Sequence, residues 1–277
     1  MEYGDKHILV LGAGASGIGA SWVLAQVGAH VVLNDYKPMT LPTAEEKRLV
    51  AAGVNIITGR QDESLLDGVD RIVISPGISL DIPIVKAAQV RGIDVVSEVE
   101  LAYEVSKSPI VAVTGTNGKT TTTTLLTKVL EGSGKPVHVG GNIGDSLSEV
   151  AYSMPADGFL VAELSSYQLE TIKHFRPIGA IMLNITPDHL ARHKTMENYI
   201  AAKERIFENQ LSTDYLVLNI DDPVVADMEH RSPSHILKIS QKKAVENGAY
   251  YADGQCYIAK DGVAKFVIGN EDIHIPG

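Results

Sequence analysis

Cysteine is all but missing from these 277 residues: Cys256 stands alone, beside one tryptophan and four phenylalanines. A single thiol cannot pair within the chain, which excludes a disulfide-stapled scaffold and fits a reducing compartment. No apolar run reaches the about 18 residues that a membrane-spanning helix needs, and the opening MEYGDKHILVLGAG lacks the basic and apolar regions of a signal peptide. A soluble, cytoplasmic protein is expected. Positive charge is also short: 24 Lys and Arg against 34 Asp and Glu leave a net charge of −10, which opposes a general affinity for nucleic acid or membrane. Any phosphate ligand must therefore be held by a local device. At roughly 100 to 200 residues per domain, the length implies two domains.

What is present is an alternation of short apolar runs and helical patterns. Residues 7–12 form an apolar run ending in glycine, residues 16–27 a helical pattern and residues 30–33 a second apolar run, the order of a βαβ unit. Further strands are predicted at 54–58, 71–75 and 93–96, with helices over 42–52 and 82–91. A second series has strands at 110–114, 137–139, 159–162, 180–184 and 215–219 and a helix over 119–130. Such alternation implies parallel, doubly wound sheets and an α/β fold class. Residues 101–108 read as helix and connector, which places a domain boundary near residue 98. From Tyr250 to Ile275 apolar positions alternate around Asp253-Gly254 and Asp261-Gly262, dipeptides that favour tight hairpins, so a small antiparallel extension is expected. The final His274-Ile275-Pro276-Gly277 follows with no helix after it, the expectation for a piece of a longer protein.

Gly12-Ala-Gly14-Ala-Ser-Gly17 fits G-x-G-x-x-G between a strand and a helix, with Asp35 after the next strand. Glycines let the backbone approach a diphosphate, the helix N-terminus favours its charge, and the acid can accept from a ribose hydroxyl. The motif does not separate NAD from another nucleotide diphosphate, nor either from a close helix-to-strand crossing without ligand. Thr114-Gly115-Thr116-Asn117-Gly118-Lys119-Thr120 is more specific, because it joins a strand to a helix and ends in Gly-Lys-Thr. It departs from G-x-x-x-x-G-K-[ST], since Val113 stands five residues before Gly118. The chemistry keeps its parts: backbone N–H groups around phosphate oxygens, Lys119 on the β- and γ-phosphates, and the Thr120 hydroxyl on Mg²⁺. Gly115, Thr116, Asn117, Gly118, Lys119, Thr120 and Thr121 are thus the candidate ATP contacts. A plain surface turn leaves the five threonines 120–124 unexplained, because threonine is a poor helix former and such conflicts mark functional sites.

Glu163 ends an apolar strand at the sheet edge where α/β proteins bind ligands, so it is a candidate for Mg²⁺, with capping of the next helix beside Ser165 as the plainer role. Thr186-Pro187 reads as an N-cap and first helical position ahead of Asp188-His189-Leu-Ala-Arg-His193. Leu190 replaces the glutamate of H-E-x-x-H, which argues against a zinc hydrolase; His189 suits a Mg²⁺ or substrate site and His193 reads as a surface residue. Lys203 shares an apolar helix face with Ile200 and Phe207, where it either snorkels or, with its pKa lowered by burial, becomes nucleophilic toward CO₂. Asp221 and Asp222 either contact nucleotide or metal or shape the turn before Pro223. Cys256 has no activating neighbour in its segment.

In order along residues 8 to 222, Leu11–Gly17, Ser75-Pro76-Gly77, Thr114–Thr120, Gly140-Gly-Asn142-Ile-Gly144, Glu163-Leu-Ser165-Ser-Tyr-Gln168, Asn184–His189 and Ala202–Phe207 resemble the Mur ligase family, in its D-glutamate-adding branch. The resemblance implies a Rossmann-like UDP-substrate-binding domain over residues 1–98 and a P-loop-type α/β ATP-binding domain over residues 99–277. UDP rather than NAD then lies near Asp35, with its diphosphate at Gly14, Ala15, Ser16 and at Ser75, Pro76 and Gly77. ATP and Mg²⁺ lie at Lys119 and Thr120, with Thr120, Glu163, His189 and a carbamylated Lys203 serving two metal sites. Asn142, Ser165 and Gln168 contact the muramoyl substrate. The implied partners are UDP-N-acetylmuramoyl-L-alanine, D-glutamate and ATP, joined through an acyl phosphate in peptidoglycan synthesis; a monomer is expected. Two departures from the resemblance stand out: Ala191 stands where an aspartate is usual, and these residues are expected to lack the family's third domain, so substrate binding with little turnover is expected.

Overall fold

The computed structural model describes residues 3–273, so the expectations for residues 274–277 lie outside the described residues. In chain order the elements are β1 (His7–Leu11), α1 (Ala15–Gln26), β2 (His30–Asp35), α2 (Thr43–Ala51), β3 (Asn55–Thr58), β4 (Arg71–Ile74), α3 (Pro83–Val90), β5 (Asp94–Ser97) and α4 (Glu98–Val105). They continue with β6 (Ile110–Thr114), α5 (Lys119–Glu131), β7 (Val137–Gly141), α6 (Leu147–Ser153), β8 (Phe159–Glu163), α7 (Ser166–Leu169), β9 (Gly179–Met182), α8 (Leu190–His193) and α9 (Met196–Glu204). The last are β10 (Tyr215–Asn219), α10 (Pro223–Ala226), β11 (His235–Ser240), β12 (Gly248–Ala252), β13 (Gln255–Lys260) and β14 (Val263–Gly269). Contacts divide the chain into one unit of Met1–Ile110 with Thr123–Phe175 and another of Val111–Thr122 with Arg176–Gly277.

The first unit contains a parallel sheet in the order β3-β2-β1-β4-β5. Its central strand is apolar at every position from Ile8 to Leu11 because both faces are covered. Ile8 and Val10, with Val31, Leu33, Val73 and Val96, pack against Ala20 and Leu24 of α1, Leu49 of α2 and Leu101 of α4. Leu9 and Leu11, with Ile72 and Ile74, face Ile84, Val85 and Ala88 of α3. Each of these buried Leu, Ile and Val side chains contributes about 1.5–3 kcal/mol of transfer free energy. Strand order reverses between β1 and β4, the crevice where open α/β sheets take ligands. The loops after these two strands meet there, the Ser75 hydroxyl donating to the Gly12 carbonyl at 3.2 Å. Gly17 is fixed by sterics, since a Cβ would lie 1.7 Å from the Gly12 oxygen. The same unit holds the parallel pair β7 and β8, and α6 packs on α1 and α4.

In the second unit β6 pairs with β9, β9 with β10, β10 with β11 and β11 with β12, all parallel. Two antiparallel hairpins, β12 with β13 and β13 with β14, extend it as expected. Their turns have left-handed backbone at both central residues, with φ of 50° and 80° at Asp253 and Gly254 and 51° and 77° at Asp261 and Gly262. That is the type I′ turn whose twist suits a two-residue hairpin. Gly254→Ala is expected to cost about 1 kcal/mol by placing a Cβ in left-handed backbone; an unchanged urea midpoint would contradict this. Strand β11 was not foreseen. No helix among the described residues is long and apolar enough to cross a membrane.

Candidate active site

The loop between β6 and α5 is braced by the segment after β9. Thr116 N–H donates to the Asn184 carbonyl at 2.9 Å and Asn117 N–H to the Asn184 side-chain oxygen at 2.8 Å. Asn184 Nδ2 returns a bond to the Asn117 carbonyl at 3.0 Å. The Thr116 hydroxyl donates to the Thr186 carbonyl, accepts the Thr186 N–H at 3.0 Å and lies 3.0 Å from the Tyr199 hydroxyl. These bonds correct the expected N-cap at Thr186-Pro187: with the Thr186 N–H and C=O committed to Thr116, the segment stays outside the helix, which starts only at Leu190. Gly118, with φ of 81°, turns the loop into α5, and the Thr120 and Thr121 side chains at its start are exposed.

Two lysines converge on this loop. Lys119 Nζ donates to the carbonyls of Gly115 at 3.0 Å and Thr116 at 2.8 Å. Lys203, 2% exposed on α9, donates to the same Gly115 carbonyl at 2.8 Å and reaches Thr114 Oγ1 at 3.5 Å. Its ammonium sits 4.9 Å from the Tyr199 ring centroid. Burial, then the charge of Lys119, lower its pKa to about 7, against the opposing pull of Asp188. A large neutral fraction near neutrality makes this amine a nucleophile. Tyr199, which sequence reasoning passed over, touches Thr116, Lys203, His189 and His193. Its position four residues before Lys203 on one helix face was the available signal. His189 has left-handed backbone and pairs with Asp188 at 3.4 Å, half-exposed. His193, read as a surface residue, is instead 6% exposed, its ring 5.3 Å from that of Tyr199. Asp222 accepts from the N–H groups of Ile185, Val224 and Val225, and Asp221 from Ser240 and Gln241, so both carboxylates shape turns.

In the first unit Glu163 is 1% exposed at the end of β8. Its Oε1 accepts from Asn142 Nδ2 at 2.8 Å and its carbonyl from Asn142 N–H at 2.8 Å. Gly141 makes this approach possible, with φ of 111° and a would-be Cβ 2.4 Å from the Glu163 carbonyl. Glu163 Oε2 is buried without a hydrogen-bond partner among the described residues. A buried carboxylate oxygen left so is costly unless a cation meets it, which fits a divalent ion. Ser165 and Gln168 form the capping box of α7, so the helix cap belongs to Ser165 rather than to Glu163. Among the described residues no group of three or more His, Cys, Asp and Glu side chains is arranged to hold a metal. At the glycine loop Asp35 accepts from Ala13 N–H at 3.0 Å and Lys37 N–H at 2.9 Å. Gly14 and Gly77 are exposed, and a Cβ on either would meet nothing within 4 Å.

Glycine loops after β1 and β6, the second ending in Gly-Lys-Thr, define an α/β protein with two strand-to-helix turns of the kind that suits phosphate groups. Residues 113–276 match the Mur ligase middle domain and residues 6–97 the Mur ligase MurD-like N-terminal domain. The chain belongs to the Mur ligase family. A UDP-N-acetylmuramoylalanine--D-glutamate ligase of Thermoanaerobacter sp. (strain X514) is 46% identical over all of this chain and 61% of its own length. One of the same name from Halalkalibacterium halodurans is 43% identical over 100% of this chain and 60% of its own. The chain thus spans about three fifths of the length of these curated relatives. Among solved structures, the UDP-N-acetylmuramate:L-alanyl-gamma-D-glutamyl-meso-diaminopimelate ligase from Neisseria meningitides shares the fold, with a TM-score of 0.62 and 23% identity over 94% of this chain and 86% of that one.

Proposed function

We propose that these residues form the UDP-substrate- and ATP-binding parts of a cytoplasmic ligase that adds D-glutamate to UDP-N-acetylmuramoyl-L-alanine during peptidoglycan precursor synthesis. The observation that carries the reading is the Gly115–Thr120 loop with Lys119 and the buried, low-pKa Lys203 on one carbonyl. The matched ranges and the 46% identical relative support it. We place the UDP domain at residues 1–98 and the ATP domain at 99–277. Gly14, Ala15, Ser16, Ser75, Pro76 and Gly77 take the diphosphate, and Asp35, which organises the loop, the uridine side. Asn142, Ser165 and Gln168 take the muramoyl part.

In this reading the substrate carboxylate attacks the γ-phosphorus of ATP, ADP departs, and the D-glutamate amine displaces phosphate from the acyl phosphate. Backbone N–H groups of residues 115–118 and the Lys119 ammonium hold the phosphate oxygens, so the barrier falls through positioning and charge neutralisation. Thr120, Glu163, His189 and a carbamylated Lys203 would hold two Mg²⁺ ions, which supply further neutralisation of phosphate charge. Lys203 gains its anionic head when its neutral amine bonds to the carbon of CO₂ and releases a proton. An NAD-dependent oxidoreductase would leave the Lys119 loop without a task.

The test uses a protein of the relatives' length with ATP and UDP-N-acetylmuramoyl-L-alanine, each candidate amino acid being added in turn while phosphate release is followed. D-glutamate is expected to be preferred, and a preference for another amino acid would refute the assignment. In the same assay Lys203→Ala is expected to lower turnover by about 100-fold or more, a loss of roughly 3 kcal/mol in the transition state. Turnover equal to the parent would remove Lys203 from the site.

A further inference from the structure

Asn142 lies in the loop between β7 and α6, and its amide is engaged by a residue of another strand. The loop leaves β7 at Gly141, which stands in register with Glu163 of β8. It doubles back at once: Gly140 bridges Asp145, and Gly141 N–H donates to the Asp145 carbonyl at 3.4 Å. Glu98, the first residue of α4 and 2% exposed, ties down the far end. Its Oε1 accepts from Ser146 Oγ at 2.5 Å, Ser148 N–H at 2.8 Å and Ser148 Oγ at 2.9 Å. Held at both ends, the loop sets Asn142 against Glu163 twice, by its backbone N–H on the Glu163 carbonyl and by Nδ2 on Oε1. A carboxylate oxygen only accepts, so the amide faces it with its NH2 group and turns Oδ1 away.

Glu163 is held unlike a carboxylate that serves the fold alone. Glu100 of α4 engages both oxygens with the backbone N–H groups of residues 173–175. Glu98 leaves Oε2 without a partner among the described residues, but within the packing of α4 against α6. Glu163 instead ends β8, at the strand edge where α/β sheets take ligands, with Oε1 occupied and Oε2 unpartnered among the described residues. A glutamine carbonyl would accept from Asn142 as well without a buried charge, so the charge serves something other than Asn142.

We infer that Asn142 is a positioning residue for Glu163: its amide occupies Oε1, fixes the rotation of the carboxylate and leaves Oε2 alone for a divalent cation. The inference rests on the reading of Glu163 as a Mg²⁺ ligand. A hydrogen-bond partner of this kind orients a ligating carboxylate before the ion arrives, so that less freedom is lost on binding. Gly141 is part of the same device, because any side chain there would push the loop off the Glu163 carbonyl.

The experiment is titration of the 277-residue chain with Mn²⁺, the free ion being counted by its electron paramagnetic resonance signal. Glu163→Gln identifies the site by the binding it removes. Asn142→Ala is expected to weaken binding at that site by about 10- to 100-fold, the usual effect of removing a partner from a metal ligand. Asn142→Ser, whose hydroxyl is too short to reach Oε1, is expected to do the same and carries the comparison if the alanine variant does not fold. On the Glu163→Gln background Asn142→Ala is expected to leave the remaining Mn²⁺ binding unchanged, because it acts through the carboxylate. A residue that only shapes the loop would lower the urea midpoint and leave Mn²⁺ affinity as in the parent. That result, or a further loss of binding in the double variant, would overturn the inference while Glu163 stays a metal ligand. Equal Mn²⁺ binding by the parent and Glu163→Gln would reject Glu163 as a ligand and the inference with it.

Discussion

Glu100→Ala is expected to remove about 3–5 kcal/mol of stability, a large part of what holds a domain of this size together. Glu100 is 0% exposed, and its two oxygens accept the backbone N–H groups of Lys173, His174 and Phe175 at 2.7, 2.8 and 3.0 Å. Three successive amides converging on one carboxylate are charge-assisted bonds, and truncation deprives all three of that acceptor while leaving a cavity beside Phe175. Glu100→Gln, which keeps one carbonyl oxygen but turns an amide donor toward donors, is expected to fall between the two. Urea unfolding at neutral pH measures the difference. A loss under about 1 kcal/mol would mean that the segment finds water in place of the carboxylate.

Lys203→Met is expected to do the opposite to stability while removing the nucleophilic amine. The folded-state pKa of about 7 lies below the ordinary 10.5, so between these values the unfolded chain binds a proton that the folded chain does not. Stability contributed by this group therefore rises with pH across that window, and below about pH 7 the full cost of burying the charged amine remains. At pH 7 the methionine variant should be more stable than the parent by on the order of 1–3 kcal/mol, with the advantage shrinking toward pH 10. The Gly115 carbonyl is not orphaned by the change, because Lys119 also donates to it. Comparing parent and variant at both pH values cancels the other titrating groups. A variant less stable than the parent at pH 7 would mean that the amine's hydrogen bonds and its contact with Tyr199 outweigh its desolvation. Such a gain alongside lost turnover is the usual mark of a residue kept for function.

The features legible in the sequence were those whose physics is local. The Asp-Gly dipeptides specified left-handed turns, and the unbroken apolar run of β1 specified a strand covered on both faces. The Gly-Lys-Thr turn needed only its own neighbours to be recognised. Strand β11 was missed because Lys238 interrupts a short run, although Ser232-Pro233-Ser234 before it was a turn signal. The roles of Glu98 and Glu100 were invisible for a different reason. Their partners lie 48 to 75 residues further along the chain, and two acids on a helix otherwise read as a solvated face. The burial of His193 and the bracing by Thr186 likewise depend on contacts with Tyr199 and Thr116, which no spacing rule connects.

One carbonyl oxygen, that of Gly115, serves two ammonium donors, Lys119 and Lys203. Shared acceptance makes the pair a balance in which each lysine's partner depends on the other's. A phosphate that draws Lys119 away hands the whole oxygen to Lys203, and a Lys203 that loses its positive charge relieves Lys119 of a repelling neighbour. On the proposed reading of this loop as an ATP site, its occupancy and the chemical state of Lys203 on α9 would thereby be thermodynamically linked, in equal measure in both directions.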